Sequence, residues 1–427
     1  MLRLIYHLGI LVYRWAIGVS SIFNPKARLW ISGRWGWEDK LREGIGTGGD
    51  WIWIHCASLG EFEQGRPVIE ALKREHPQFR ILLTFFSPSG YEVRKGYPHA
   101  DFISYLPLDR VGNARAFLDI VKPRMAILVK YDLWLNFLFE THRRKIPLVL
   151  VSALVRPNSK FLKSFLKDEY RRAFRCFSWI FTQDSETKQL LEHFSGNPRI
   201  SVAGDTRFDR VAELLHQPRP LPAIEEWVRG RKVIVAGSVW PEDERVLLPV
   251  IERLRRENLC WIVAPHEIHP AHIDSIIARD QARMAKYSRL PEVAAVSDVL
   301  WIDNVGMLSR IYQYSEMVYI GGGFGVGIHN TQEPAVYGNP VIFGPNHENF
   351  QEAVDMVKSG GAVSILTLEE LERALLAWLD NPGLLSHVRE ENKQYMQSRT
   401  GATDAILTKL KFLHFLDERA DLSEDRS

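Results

Sequence analysis

Hydrophobic positions along the chain gather into short runs separated by longer amphipathic stretches. Trp51-Ile52-Trp53-Ile54-His55-Cys56 and the runs at 81–86, 125–130, 147–153, 179–184 and 200–204 are mostly apolar over strand length. Such runs predict strands buried on both faces. Between them, stretches such as 61–75 and 186–194 repeat apolar residues at helical spacing. A second series follows at 233–238, 260–265, 299–303, 317–322 and 340–344. Strand-helix alternation of this kind predicts an α/β chain with parallel sheets and helices on both faces. The two series are separated by 216–222, a stretch with three prolines in five residues and no apolar period, which reads as a linker. Two doubly wound domains facing a central cleft are therefore expected, with ligands at the carboxyl ends of the strands.

The N-terminus has a different pattern. Residues 4–23 are largely apolar, broken by His7 and Arg14, with apolar residues at 4, 5, 8, 11, 12, 15, 16 and 19. This length nearly crosses a bilayer, but an Arg at mid-span costs roughly 2.5–3.5 kcal/mol. A helix lying in the membrane interface and a core helix of the first domain remain open alternatives. Residues 1–43 hold seven Lys/Arg and three acids, a basic flank that anionic lipid attracts. The expected boundaries are an anchor helix (1–24), a first domain (25–215), a linker (216–230), a second domain (231–400), a helix crossing back to the first domain (401–416) and a frayed polar tail (417–427).

Composition narrows the function classes. Lys+Arg (54) and Asp+Glu (52) nearly balance, for a net charge of +2, so nothing in the total charge calls for nucleic acid. Cys56, Cys176 and Cys260 are far apart and form no CxxC pair, which excludes a disulfide framework and a cysteine zinc site. His266, His269 and His272 recur every third residue, but Pro265 and Pro270 interrupt the helix that would align them on a metal. Local charge matters more: 156–175 carries seven Lys/Arg against two acids, interleaved with aromatics. It is either a solvated helix face or a docking surface for phosphates, with Arg156, Ser159 and Lys160 as candidate acceptor contacts.

Two segments could carry chemistry. After the first strand, Ser58-Leu59-Gly60-Glu61 fits a capping box, with Ser58 as N-cap and Glu61 bonding back to its amide. It fits equally a carboxylate on the first turn of a helix, able to take a proton from a hydroxyl, with Gly60 leaving room for a substrate. In the second half, Gly321-Gly322-Gly323-Phe324-Gly325-Val326-Gly327-Ile328-His329-Asn330-Thr331-Gln332-Glu333 puts five glycines between a strand and a helix. Free backbone amides there could surround a phosphate, and Asn330 and Glu333 on the first helical turn could grip a ribose diol. The loop around Asn349 has similar character. Gly237-Ser238 and Pro265-His266 end neighbouring strands on the same side.

In this order the motifs resemble the Kdo (3-deoxy-D-manno-octulosonic acid) transferases, GT-B glycosyltransferases with two Rossmann-like domains. The carriers are Ser58–Glu61, Pro88-Ser89-Gly90, Tyr105–Asp109, Asp132-Leu133-Trp134-Leu135-Asn136, Gly204–Asp209 and His329–Pro334 with Gly344-Pro345. The resemblance implies CMP-Kdo as donor, a lipid A precursor as acceptor, inversion at the anomeric carbon, and neither cofactor nor catalytic metal. It also implies an enzyme on the cytoplasmic face of the bacterial inner membrane, in contact with its anionic surface. By position it assigns Glu61 as general base and Arg207 as a charge stabiliser where the family usually has Lys. Donor contacts fall on Gly237, Ser238, Pro265, His266, Gly306, Met307, Leu308, Gly323, Gly327, His329, Asn330, Thr331, Gln332, Glu333 and Asn349. Ser58 and Gly60 would meet the acceptor. Two departures stand out: His266 replaces a common Arg, and Lys130 replaces the first acid of a Glu-Thr-Glu-Leu-Trp motif whose second acid survives as Asp132. Another GT-B enzyme, such as a UDP-sugar transferase or a nucleotide-sugar epimerase, and an inactive membrane-associated binding protein are the alternatives.

Overall fold

The computed structural model describes residues 2–46, 48–130, 132–216, 220–280, 283–290, 292 and 297–417. Residues 217–219 of the proline-rich stretch and the tail from 418 onward lie outside the described residues. The chain divides into two compact units, Met1–Arg210 with Thr400–Ser427, and Val211–Arg399.

The first unit is built on seven parallel strands: β1 (Trp51–Cys56), β2 (Arg80–Phe85), β3 (Phe102–Tyr105), β4 (Met125–Val129), β5 (Leu148–Ala153), β6 (Trp179–Thr182) and β7 (Ile200–Val202). Their order is β3-β2-β1-β4-β5-β6-β7. β1 is buried at all six positions because it pairs with β2 on one side and β4 on the other. The winding reverses between β1 and β4, so the loops leaving these two strands diverge and open a switch point. The second unit repeats the plan with β8 (Lys232–Val239), β9 (Leu259–Pro265), β10 (Met284–Lys286), β11 (Val299–Trp301), β12 (Met317–Ile320), β13 (Val341–Phe343) and β14 (Ala362–Ser364). Its order is β10-β11-β9-β8-β12-β13-β14, with the reversal between β8 and β12.

Apolar runs predicted eleven of these strands. The three they miss, β3, β10 and β14, are outer strands of three or four residues, too short to show a pattern. The stretch read as a linker over 216–230 contains a helix, Pro222–Val228. Pro222 suits a first helical turn, and Ile224 and Trp227 are buried, so this part belongs to the second unit.

The helix Ala402–Phe412 lies in the first unit, where Ile406, Leu407 and Leu410 join the core formed by Ile52, Ile54, Ile127, Val129 and Leu72. Burying such a side chain contributes roughly 1.5–3 kcal/mol. Its N-terminus is held by Asp209, whose carboxylate accepts from the Gly401 and Thr403 amides and from the Thr403 hydroxyl, each at 2.6 Å. The Asp of the Arg-Phe-Asp motif is thus a helix cap supplied from far away in sequence.

The N-terminal helix (Leu2–Ser20) is fastened to the same unit. Tyr6 donates to the buried Asp109 carboxylate at 2.5 Å, and His7 Nε2 lies 3.1 Å from Asn136 Oδ1. Asp109 also accepts the Asn136 and Phe137 amides, each at 3.1 Å, so one carboxylate ties this helix to the start of Leu135–Arg143. The opposite face is bare: Leu8, Val12 and Trp15 are 52%, 64% and 71% exposed. Among the described residues no helix is long and apolar enough to cross a membrane, which removes the spanning reading of residues 4–23. Nor is the basic flank wholly outward. Arg34 donates to the carbonyls of Trp30, Phe86 and Leu106, and its burial lowers it to about 9.

Burial pushes the Asp109 carboxyl up to about 6, against the opposing bonds from Tyr6, Asn136 and Phe137. The folded chain therefore holds this proton more tightly than the unfolded chain, and stability contributed by the neutral form is lost as pH rises through about 4 to 6. Urea denaturation should show the wild type losing up to about 3 kcal/mol relative to Asp109→Asn over that window. Parallel pH profiles for the two proteins would exclude this account.

Candidate active site

In the first unit, the ends of β1 and β4 bring Ser58, Glu61 and Asp132 to one side of the sheet. Ser58 stands at the N-cap of the helix Leu59–Glu75, yet its hydroxyl makes no cap bond. It donates instead to Glu61 Oε2. The capping-box reading is therefore corrected: the serine orients the carboxylate rather than the helix amide. Gly60 is exposed, and a side chain there would meet only Ser58 Oγ within 4 Å. Burial pushes the Cys56 thiol well up, and the negative charges of Glu61 and Asp132 add to the effect. The two carboxylates, from the ends of β1 and β4, thus act on one point.

Asp132 is the best-held of these groups. His55 Nε2 lies 3.2 Å from Asp132 Oδ2, and Trp134 Nε1 donates to the same oxygen at 2.7 Å. The other ring nitrogen of His55 lies 2.9 Å from Thr84 Oγ1, which also accepts from Trp53 Nε1 at 2.8 Å. His55 is 1% exposed. A buried imidazole between a hydroxyl and a carboxylate has its ring plane fixed, and it fixes the carboxylate in turn. His55 carried no role in the sequence; its place directly before Cys56-Ala57-Ser58 at the end of a buried strand was the available signal.

Lys130 has φ of +71°, a left-handed backbone rare outside glycine. Its amide donates to the Val151 carbonyl at 2.8 Å, which holds the turn out of β4 in this conformation. Ser152 (φ 53°) in β5 and Ser238 (φ 54°) in β8 share it. Such strain persists only where surroundings enforce it, and it concentrates at functional sites.

Arg207 is gripped by Asp205 Oδ2 through Nε at 2.8 Å and Nη2 at 2.6 Å. Thr206, between them, donates to the Gln64 carbonyl and so ties this loop to the helix that carries Glu61. Of the expected acceptor contacts, Arg156 pairs with Asp184 at 2.8 Å, and its amide donates to Ser159 Oγ at 3.0 Å. Arg156 is thus held in place by an ion pair while its side chain stays about one-third exposed. Ser159 and Lys160 line a cavity of about 680 Å³ together with Asp132 and Trp134.

The second unit sets its loops differently from expectation. Asp243, buried in the helix Pro241–Arg253, accepts the Gly322 amide at 2.7 Å, the Trp240 amide at 2.9 Å and the Tyr319 hydroxyl at 2.8 Å. Burial pushes its carboxyl up against these bonds. A Cβ on Gly321 would lie 2.2 Å from the Ser238 carbonyl oxygen, and one on Gly323 would lie 2.5 Å from the Gly344 nitrogen. The amides of Gly325 and Gly327 both donate to the Gly322 carbonyl. Close packing thus accounts for much of the glycine run, and the Gly321, Gly322, Gly325 and Gly327 amides are already bonded within the protein. This corrects the reading of the whole loop as free amides; the remaining space for an anion is narrower. Asp243 was missed, although Pro241 followed by acids marks a helix start.

Asn330 precedes the short helix Gln332–Val336, and its side chain accepts the Gln332 amide at 2.9 Å. The expected pairing of Asn330 and Glu333 on one helical turn is corrected accordingly, since only Glu333 is helical. Thr331 Oγ1 and Gln332 Nε2 are buried and find no partner among the described residues, an arrangement that calls for a ligand or water. His266 stacks on Trp240 (4.1 Å between centroids, 16° between planes), and His329 packs beyond it at 4.5 Å. Burial, then the neighbouring His266, lowers His329 from its ordinary value. Gly237 is packed against Leu308 and Tyr312, Met307 is buried, and Gly306 and Asn349 are exposed. His269 and His272 bond separately to Glu267 and Glu244.

Two doubly wound parallel sheets in one chain, each with polar loops at its switch point, define a GT-B-like α/β fold. The structure of UDP-GlcNAc 2-epimerase from Neisseria meningitidis bound to UDP-GlcNAc is similar, at TM-score 0.60 and 15% identity, covering 85% of this chain and all of that one. At that identity the likeness speaks for the fold alone. Residues 31–210 match the family model described as 3-deoxy-D-manno-octulosonic-acid transferase (kdotransferase). The chain is also 25% identical over 407 residues to the 3-deoxy-D-manno-octulosonic acid transferase of Haemophilus influenzae, covering 92% of this chain and 94% of that protein. The Aquifex aeolicus protein of the same name is 28% identical over 317 residues, 73% of this chain and 80% of that one. The chain is thus similar, along most of its length, to enzymes named as Kdo transferases.

Lys130→Gly should raise stability by about 1 kcal/mol in thermal melts, because glycine relieves the left-handed strain, while lowering turnover. A variant that gains stability at full activity would show that the strained lysine serves neither the fold nor the reaction; one that loses stability would mean that its contacts outweigh the strain.

Proposed function

We propose that this protein transfers Kdo from CMP-Kdo to a lipid A precursor by a single inverting displacement. The second unit holds the donor. The first unit binds the acceptor and supplies the base, Glu61, which takes the proton of the attacking hydroxyl. The observation that carries the reading is the group of Ser58, Glu61, Asp132 and His55 at the first switch point, in a chain similar along most of its length to named Kdo transferases. Ser58 donating to one carboxylate oxygen leaves the other to accept the acceptor proton. Lys130, after β4, and Arg207, after β7, are assigned the positive charge that would offset charge on the departing phosphate. Glu333 and Asn330 are assigned to the ribose, with Thr331 and Gln332 as buried polar contacts awaiting a partner. His266 and His329, stacked with Trp240, are assigned to the donor as well. No cofactor or divalent metal is assigned a step.

The protein is proposed to work at the cytoplasmic face of the bacterial inner membrane. The exposed apolar side of the N-terminal helix would rest in the interface, with Lys26, Arg28, Lys40 and Arg42 toward anionic headgroups.

Purified protein given CMP-Kdo and a tetraacylated lipid A precursor should form a Kdo-bearing lipid, and CMP should compete for the donor site better than UDP. Preference for UDP would favour a UDP-sugar enzyme instead. Glu61→Gln should cut turnover roughly 10²–10⁴-fold with CMP binding retained, and undiminished turnover would remove Glu61 as the base. Asn330→Ala and Glu333→Ala should mainly weaken CMP binding.

A further inference from the structure

The first unit contains a second cavity, of about 390 Å³, that adjoins the one beside Asp132. Its lining is apolar and aromatic, formed by Ile5, Gly9 and Ile10 on the N-terminal helix, Phe165 and Leu166 opposite, and the Trp134 ring. The two cavities share Tyr6, Ile10 and Trp134 as walls. On the far side of that wall the lining turns polar, with Asp132, Ser159, Lys160, Ser164 and Tyr170. The Tyr6 hydroxyl is already committed to Asp109, and Trp134 Nε1 to Asp132, so neither side chain presents a free polar group to the apolar chamber. The result is one elongated recess, greasy at one end and hydrogen-bonding at the other, with a held carboxylate at the junction.

We propose that this recess binds one acyl chain of the acceptor, with the chain in the apolar chamber and the phosphorylated sugar beside Lys160 and Asp132. The inference deepens the lipid-acceptor reading above and rests on it. Charge complementarity selects this occupant. Lys160, Lys163 and Lys167 border the same segment and make no ion pair among the described residues, whereas Arg156, Arg171 and Arg172 are each paired with an acid. Lys160, in the wall of the polar cavity that adjoins the apolar slot, suits an anionic single-chain unit; an uncharged lipid would leave it without a partner. The N-terminal helix then has two apolar faces with separate tasks, the outer one toward the membrane and the inner one forming the chamber.

Gly9 offers a clean test. It lines the chamber, and a Cβ there meets nothing within 4 Å, so Gly9→Leu starts its side chain in open space and favours the helix. The probe is a series of N-acylglucosamine 1-phosphates of increasing chain length, titrated onto the full chain. Affinity should rise about fourfold per methylene until the chamber is full. Gly9→Leu should abolish most of that gain, while affinity for glucosamine 1-phosphate and for CMP stays at wild-type values. Equal affinity at every chain length, or an unchanged series in Gly9→Leu, overturns the inference, as does equally tight binding of lysophosphatidylglycerol, which would make the chamber a site for bulk lipid. Kdo transfer is measured on the same samples. Transfer with a flat series sinks the chamber and leaves the proposed function standing, whereas no transfer and no binding sinks both.

Discussion

The Asp132 carboxylate is gripped from two sides, by the His55 ring at 3.2 Å and the Trp134 indole at 2.7 Å, and the polar groups at the first switch point are arranged around that grip. His55 belongs to β1 and Asp132 follows β4, so the bond spans the point where the winding of the sheet reverses. At a switch point the loops part and expose strand ends, and a polar group there needs tethering to keep one position. The imidazole and indole supply the tether. Trp134 in turn separates the polar cavity from the apolar one, so orienting the carboxylate also shapes the recess.

Other carboxylates, two buried and one half-buried, perform the same kind of tethering elsewhere. Asp109 joins the N-terminal helix to Leu135–Arg143, Asp209 caps Ala402–Phe412, and Asp243 gathers Gly322, Trp240 and Tyr319. Each accepts several donors from segments that lie apart in sequence, which is the condition under which a buried acid is tolerated. For Asp109 and Asp243 burial still outweighs those bonds and raises the carboxyl, so these positions cost stability in exchange for a fixed geometry.

This division explains what the sequence could reveal. Central strands were legible because a parallel strand covered on both faces must be apolar, and the outer strands β3, β10 and β14 were not, being short and half covered. Glu61 and Asp132 were legible as acids directly after such strands. His55, Asp109 and Asp243 were not, because their roles come from partners tens of residues away, and no local pattern encodes a partner. The glycine-rich loop misled in a specific way. Glycine answers both to a ligand's approach and to the approach of another strand end, and here Ser238 and Gly344 occupy much of the space.

The N-terminal helix carries the remaining consequence. A helix apolar on nearly every side can serve as a core element or lie against a membrane. Here Tyr6, Ile10 and Tyr13 face the unit, and Leu8, Val12 and Trp15 are left exposed on the outside. Because Tyr6 is bonded to Asp109, and Asp109 accepts the amides of Asn136 and Phe137, the helix cannot shift without disturbing the segment that carries Trp134. A surface contact made by the outer face is therefore connected, through a single buried carboxylate, to the residues that position Asp132. On the reading proposed above, in which the outer face rests on a membrane, the Tyr6–Asp109 bond would hold that face and the groups around Asp132 at a fixed spacing.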